Sequence, residues 1–190
     1  MLGPALLAVV VVVSIAAGFF YNRLVGLRNR AASSWSDIDV QLKQRHDLIQ
    51  NLVETVKGYA AHERATLEEV TTARAGAEGV RKTGQPADAG IAESHLSERI
   101  GRLFAIVEAY PDLKASDGFR QLHESLVDVE DKLQNARRYY NAVVRDFNTR
   151  IQSFPDLLLA GVFGFTEREF FELDSAAEAA VPRLDLGGAP

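Results

Sequence analysis

The chain contains no cysteine, and this absence excludes several classes of site. Without thiols there is no disulfide, no thiolate metal site, no cysteine nucleophile and no lipid-modified cysteine. An excess of positive charge is absent as well: 21 Lys and Arg stand against 26 Asp and Glu, a formal net charge of −5. A protein that holds nucleic acid needs a basic surface to neutralise phosphates, so we expect no nucleic-acid partner.

Motifs of catalysis and of cofactor binding are missing too. No Gly-rich loop ends in Lys followed by Ser or Thr, and neither a dinucleotide fingerprint nor Gly-x-Ser-x-Gly occurs. The histidines lack the Glu three residues earlier that a di-iron bundle requires. They are His46, His62, His95 and His123. We therefore expect no enzyme, no cofactor and no metal site, and we interpret the histidines as solvated or interfacial.

Apolar residues are plentiful, and the first segment holds an unbroken run of them. No charged side chain occurs from Leu2 to Phe20, and a helix of that length rises roughly 28 Å, about the thickness of bilayer hydrocarbon. We predict a transmembrane anchor over residues 1–22. The alternative is a cleaved secretory signal, because Ser14 and Ala16 are small enough for a signal peptidase. Such a signal has Lys or Arg before its apolar run, and here the basic residues follow it.

The residues that follow the apolar run predict its orientation. Tyr21 is suited to the interface, and Arg23, Arg28 and Arg30 are the membrane-flanking basic residues. Basic residues near a span end tend to stay cytoplasmic. We expect a single-pass protein of the bacterial inner membrane, with the N-terminus outside, the remainder in the cytoplasm, and membrane lipid as a partner.

Apolar residues then recur at steps of three and four, the spacing of a helix seam. The first seam predicts a helix from the bilayer to about Arg74, with Arg45 as its one polar intrusion. A turn follows near Gly76 to Pro86, and a second helix spans about Pro86 to Tyr110. The first seam comprises Leu24, Leu27, Ala31, Trp35, Ile38, Leu42, Ile49, Leu52, Val56 and Tyr59. The expected buried face of the second helix comprises Ile91, Leu96, Ile100, Leu103, Phe104 and Val107.

The third helix has the most regular seam of the chain, and Phe154 and Pro155 close it. Before it, Ser116 and Asp117 are available to cap its start. The third seam comprises Phe119, Leu122, Leu126, Val129, Leu133, Ala136, Tyr140, Val143 and Phe147.

These patterns predict an all-α protein in which a transmembrane helix continues into a long-helix, antiparallel, up-and-down bundle. The bundle covers residues 23–165 and has three long helices. Residues 166–190 form an acidic C-terminal segment, in which about 167–180 offers a short fourth helix before a flexible end. An uncovered seam near the membrane leads us to expect a homo-oligomer.

Several residues are candidates for interaction. The segment from Phe154 to Phe165 is too short to span a membrane, so it either seals the bundle end, which we favour, or contacts membrane or a partner. The segment from Tyr110 to Ala115 is either a helix-linking turn or a binding loop. The candidate interaction residues are Trp35, Tyr110, Pro111, Asp112, Leu158, Phe163 and Phe165.

Four blocks of sequence are distinctive in combination: residues 47–59 (DLIQNLVETVKGY), 110–115 (YPDLKA), 135–141 (NARRYYN) and 154–165 (FPDLLLAGVFGF). On these blocks the chain resembles the LemA family, and the resemblance extends from the anchor through Phe171. One departure is Gln50, where members often have Pro, so a helix kink is not expected there. The resemblance implies a bacterial membrane-anchored antiparallel helical bundle, and some members are linked to organisation of the envelope or of internal membranes.

Two functions from different classes remain open. One is a self-assembling scaffold that organises or shapes the inner membrane or envelope. The other is a monomeric membrane-tethered adaptor that recruits an unidentified protein partner through its bundle or through residues 166–190. A ligand sensor is a third alternative, but it needs an internal polar pocket that the seams do not indicate.

Overall fold

The computed structural model describes residues 2–173, and in this range every regular element is a helix. The prediction of an all-helical fold is confirmed. The six helices are α1 (Leu2–Tyr59), α2 (Arg64–Arg81), α3 (Pro86–Val107), α4 (Pro111–Ala115), α5 (Asp117–Gln152) and α6 (Asp156–Phe163). α1 continues through Gln50, in keeping with the absence of Pro at that position.

The described residues divide into two compact units, and α1 and α5 contribute to both. The first unit holds residues 2–36 and 138–169. The second unit holds residues 37–137 and 170–173.

In the first unit, α1 and α5 run antiparallel. Leu24 lies in one buried cluster with Phe147 and Ile151 near the end of α5. Trp35, eleven residues further along α1, contacts the ring of Tyr140 at a centroid distance of 5.5 Å. As the α1 number rises the α5 number falls, so the two predicted seams face each other here.

In the second unit, α1, α2, α3 and α5 share one apolar core, and α4 adds Leu113 to it. The buried members are Ile49, Leu52, Val56, Ala60, Leu67, Val70, Ala77, Leu96, Ile100, Leu103, Phe104, Val107, Leu113, Phe119 and Leu126. Most of these buried residues belong to the three predicted seams, which confirms that periodicity identifies the core.

Ser116 caps α5 as predicted, since its Oγ accepts a hydrogen bond from the Phe119 N–H at 3.4 Å.

The prediction of one helix to about Arg74 is wrong, because α1 ends at Tyr59. The Glu63 N–H donates to Ala60 O at 3.0 Å, closing a turn between α1 and α2. Tyr59 was expected in the seam but is 51% exposed, whereas Ala60 is buried. Gly58 lowers the cost of leaving the helix, and the turn lets Leu67 of α2 reach the same core.

The turn predicted near Gly76 to Pro86 is shorter than expected. α2 continues through Gly76 and Gly79 and ends at Arg81. The chain then turns at Gly84, whose φ of 71° is a left-handed conformation that glycine adopts without strain.

Ile91 was expected on the buried face of α3, but it is 56% exposed. Near the start of α3 the buried residues are Ala89, Gly90 and Glu93. This side of the helix is buried because the segment around Glu172 packs on it, which periodicity did not predict. A Cβ built on Gly90 would lie 2.0 Å from the backbone oxygen of Glu172. The chain after α6 therefore packs on α3 through backbone.

Phe171, next to that contact, is fully buried. Residues 165–173 form no helix. The rest of the segment considered for a fourth helix, 174–180, lies outside the described residues.

A methyl group at position 90 tests the packing of this segment on α3. In full-length protein in detergent, Gly90→Ala should lower the free energy of unfolding by about 1–3 kcal/mol, because the new Cβ overlaps the Glu172 backbone. Urea unfolding followed by circular dichroism measures this. Gly101→Ala is the matched control, since that glycine is in the same helix with open space around it, and it should be neutral or stabilising by up to about 1 kcal/mol. Equal effects of the two changes would contradict the proposed packing.

Candidate membrane-facing site

The helix α6 is built to present two different faces. Gly164, at a φ of 66°, ends it, and the Phe165 N–H donates to Ala160 O at 2.9 Å. One face turns inward: Ala160 is buried in the cluster with Leu24, Phe147 and Ile151. This face closes the apolar core of the first unit.

The other face of α6 exposes large apolar side chains. These are Leu157 (50% exposed), Leu158 (62%), Val162 (79%) and Phe163 (55%), and Phe154 (81%), two residues before the helix, is exposed as well. We call these five residues the α6 apolar surface. A contiguous exposed apolar surface is characteristic of a contact site for protein or membrane, because it is costly to leave in water.

Aromatic contacts join α6 to the residues that follow the apolar run of α1. The ring of Tyr21 lies 4.7 Å from that of Phe163 and 6.0 Å from that of Phe165. The guanidinium of Arg28 lies 5.5 Å from the Phe165 ring centre, a cation–π distance. Tyr21, predicted at the membrane interface, is therefore in direct contact with the α6 apolar surface.

Among the described residues, one helix is long and apolar enough to cross a membrane, and it is the amino-terminal part of α1. No part of its most apolar 18-residue segment is buried inside the protein. This exposed apolar segment of α1 and the α6 apolar surface together form the candidate membrane-facing site, and both belong to the first unit.

The structure brings together only some of the predicted interaction residues. Tyr21, Arg28, Phe163 and Phe165 contact one another in the first unit, as described above. Leu158 lies on the exposed face of α6, and the half-buried Trp35 packs on Tyr140.

Tyr110, Pro111 and Asp112 belong to the second unit. They stand at the start of α4, a five-residue helix that connects α3 and α5. The Tyr110 hydroxyl donates to Glu63 Oε1 at 3.4 Å, while Pro111 and Asp112 are exposed. The segment thus has the geometry of the helix-linking alternative.

A buried cluster of charged residues in the second unit was not expected as a unit. Arg45, 2% exposed, donates from Nη1 to Glu93 Oε2 at 2.5 Å and from Nη2 to Ser97 Oγ at 2.6 Å. Its Nε lies 3.3 Å from Glu130 Oε2. His46 lies between two carboxylates, with Nε2 2.6 Å from Glu93 Oε1 and Nδ1 2.9 Å from an oxygen of Glu78.

Two carboxylates of the cluster, Glu93 and Glu78, are held in the ionised form. Burial alone raises the pKa of Glu93, but the His46 hydrogen bond and the Arg45 charge outweigh it, and the pKa lies below its usual value. Hydrogen bonds from Arg81 and His46 hold the pKa of Glu78 well below its usual value. A buried pair of ionised groups stabilises a fold only while both partners are present.

The geometry explains what this cluster does and why it was missed. Both ring nitrogens of His46 face carboxylate oxygens, so neither is open to a metal ion, and residues 2–173 contain no His, Cys, Asp and Glu group suited to one. His46 is interfacial and not solvated. The partners of His46 lie 32 and 47 residues away in the sequence, too far for helical periodicity to pair them. Arg45, a charged residue inside an apolar seam, was the one feature of the sequence that indicated a buried charge.

Comparison with known proteins connects this architecture to a family. The sequence profile of the LemA family matches residues 34–185. The chain is 27% identical to magnetosome protein MamQ of Magnetospirillum gryphiswaldense over 184 residues, which cover 85% of this chain and 68% of MamQ. Identity is 26% over 186 residues to magnetosome protein MamQ 2 of Paramagnetospirillum magneticum, with the same coverage. Protein LemA of Metamycoplasma hominis is 27% identical over 176 residues, or 84% of this chain and 78% of that protein.

Loss of the Arg45 charge should destabilise the second unit strongly. Arg45→Met leaves Glu93 with His46 alone and takes the ion-pair partner from the buried Glu130. Removing one partner of a buried ion pair costs about 3–5 kcal/mol in comparable sites. Urea unfolding of the full-length protein measures it. Lys43→Met is the control, because the Lys43 and Asp47 pair is more than half exposed and should contribute under about 1 kcal/mol. A loss at Arg45 no greater than at Lys43 would show that the cluster does not stabilise the fold.

Proposed function

This chain belongs to the LemA family, and from that premise we propose that it is a non-enzymatic, membrane-anchored helical scaffold. In this proposal it self-assembles and organises or shapes the bacterial inner membrane or envelope. The coarser part of the statement, a membrane-associated helical protein, follows from the family and from the apolar segment of α1.

The observation that carries the proposal is the position of the α6 apolar surface. It contacts Tyr21, which comes directly after the uncharged run from Leu2 to Phe20. If that run spans the bilayer, α6 lies at the interface, where the five exposed side chains of the α6 apolar surface enter the acyl region. The protein then has two attachments to one leaflet, which restrict the tilt of the first unit relative to the membrane.

A fixed tilt is what distinguishes a scaffold from a flexible tether. Copies held in a membrane plane with the same orientation have a high effective concentration, so weak contacts suffice for assembly. Side chains such as Val40 and Tyr139, 60% and 54% exposed, are available for such contacts. Each is a single exposed residue, so neither makes a stable interface alone.

The proposal also includes the orientation of the chain in the membrane and its role in the cell. Arg23, Arg28 and Arg30 follow the apolar run and support a cytoplasmic bundle with the N-terminus outside. Relatives that carry the name magnetosome protein support a role in a cellular structure over a role in a metabolic reaction.

Fluorescence quenching by lipid tests the position of α6. Because the chain has no cysteine, Leu158→Cys gives one attachment site for an environment-sensitive fluorophore in full-length protein reconstituted into vesicles. Bromine-labelled acyl chains should quench this label strongly, since they quench only at contact distance. Thr72→Cys, at an exposed position of α2 in the second unit, is the control and should be unaffected. Equal, weak quenching at both positions would show that α6 is in water and would refute the two-point attachment.

A further inference from the structure

A wide groove between α1 and α5 in the first unit has four arginines among its nine lining residues. Its volume is about 710 Å³. The charged lining residues are Arg23 and Arg30 from α1, with Arg145, Asp146 and Arg150 from α5. Four guanidinium groups against one carboxylate give the lining a formal charge of +3.

Only one of the four arginines has an ion-pair partner elsewhere in residues 2–173. Arg23, Arg30 and Arg145 make no ion pair within residues 2–173, and the carboxylate paired with Arg150 is that of Asp156, at 3.8 Å. Like charges gathered on one groove repel one another, and an anion in the groove would relieve that repulsion. Guanidinium groups are well suited to phosphate, because their fork of N–H donors matches two phosphate oxygens.

The neighbours of the groove indicate what carries the phosphate. Arg23 follows the interface residue Tyr21 by two positions, and the groove residue Ser153 directly precedes Phe154, the most exposed member of the α6 apolar surface. Charged or polar groove residues and residues of the apolar membrane-facing site are therefore neighbours in the sequence at both places. A free phosphate ion uses only the charge, whereas a phospholipid uses both.

We propose that this groove binds the headgroup phosphate of an anionic phospholipid from the leaflet that faces the bundle. The inference rests on the membrane placement in the proposed function and adds a specific lipid site to it. The arginines then act as a selective site and not only as a diffuse basic flank. Bound lipid would join α1 to α5 at the membrane end of the first unit.

Lipid binding to full-length protein in detergent tests this site. Native mass spectrometry should show phosphatidylglycerol binding more tightly than phosphatidylcholine. Arg30→Gln and Arg145→Gln should each weaken phosphatidylglycerol binding about fivefold, the change expected for one basic residue near an anionic lipid. Both side chains are exposed, so the fold should persist, and circular dichroism verifies this. Arg64→Gln is the matched control: Arg64 is exposed, lies in the second unit and should leave binding unchanged.

Three results would overturn the proposal. They are equal binding of the two lipids, unchanged phosphatidylglycerol binding in both groove variants, and an equal loss in Arg64→Gln. A further arm adds inorganic phosphate: if it displaces the lipid at similar concentration, the groove is a free-anion site and not a lipid site. Because these measurements use micelles, they do not depend on α6 depth in a bilayer or on self-assembly. A failed lipid site and a failed scaffold are therefore distinguishable.

Discussion

The apolar stripe of α1 must be covered along its whole aqueous length, and this requirement shapes both units. An isolated amphipathic helix gains little stability in water from propensity alone, so the stripe needs partners. In the first unit α5 and α6 supply them, through Phe147, Ile151 and Ala160. In the second unit the partners are α2, α3 and α5, and the same helix thus connects the apolar segment to two separate cores.

The stripe carries one strong constraint on how it is covered. Arg45 replaces an apolar residue in the seam, so the elements packed on it must bring carboxylates. α3 brings Glu93 and α5 brings Glu130, while His46 on the next position binds Glu93 from the other side. A register in which those helices slid by one turn would bury Arg45 without a partner. We infer that the cluster acts against alternative packings, a role for which buried polar groups are known in coiled coils.

Periodicity predicted the helices of this protein well and its turns less well. The α5 seam was identified because aliphatic and aromatic residues recur without interruption, and Ser116 was recognised as a cap from its residue type alone. The turn after Tyr59 was missed because Gly58 by itself does not end a helix, and only the contacts of α2 make the reversal favourable. Gly90 shows the same limit, since it packs on the backbone of Glu172, about eighty residues further along the chain.

The candidate site was predicted only in part, because its remaining features also depend on contacts between residues distant in the sequence. Composition identified Tyr21, the basic flank and the 154–165 segment as suited to a membrane or partner, but it could not tell which face of that segment points inward. The fold answers this by turning Ala160 to the core and Phe154, Leu158 and Val162 outward. The groove arginines of α5 were not predicted, because Arg145 and Arg150 become neighbours of Arg23 and Arg30 only when the helices pack antiparallel.

We propose that the membrane-facing part of the first unit orients many copies so that they assemble and act on the bilayer. Electron cryo-microscopy of vesicles that contain the full-length protein tests it most directly. We predict ordered arrays, rings or filaments on the vesicle surface, accompanied by a change in membrane curvature. Dispersed single copies on undeformed vesicles, at protein densities that cover the surface, would contradict the scaffold and favour an adaptor that works through another protein.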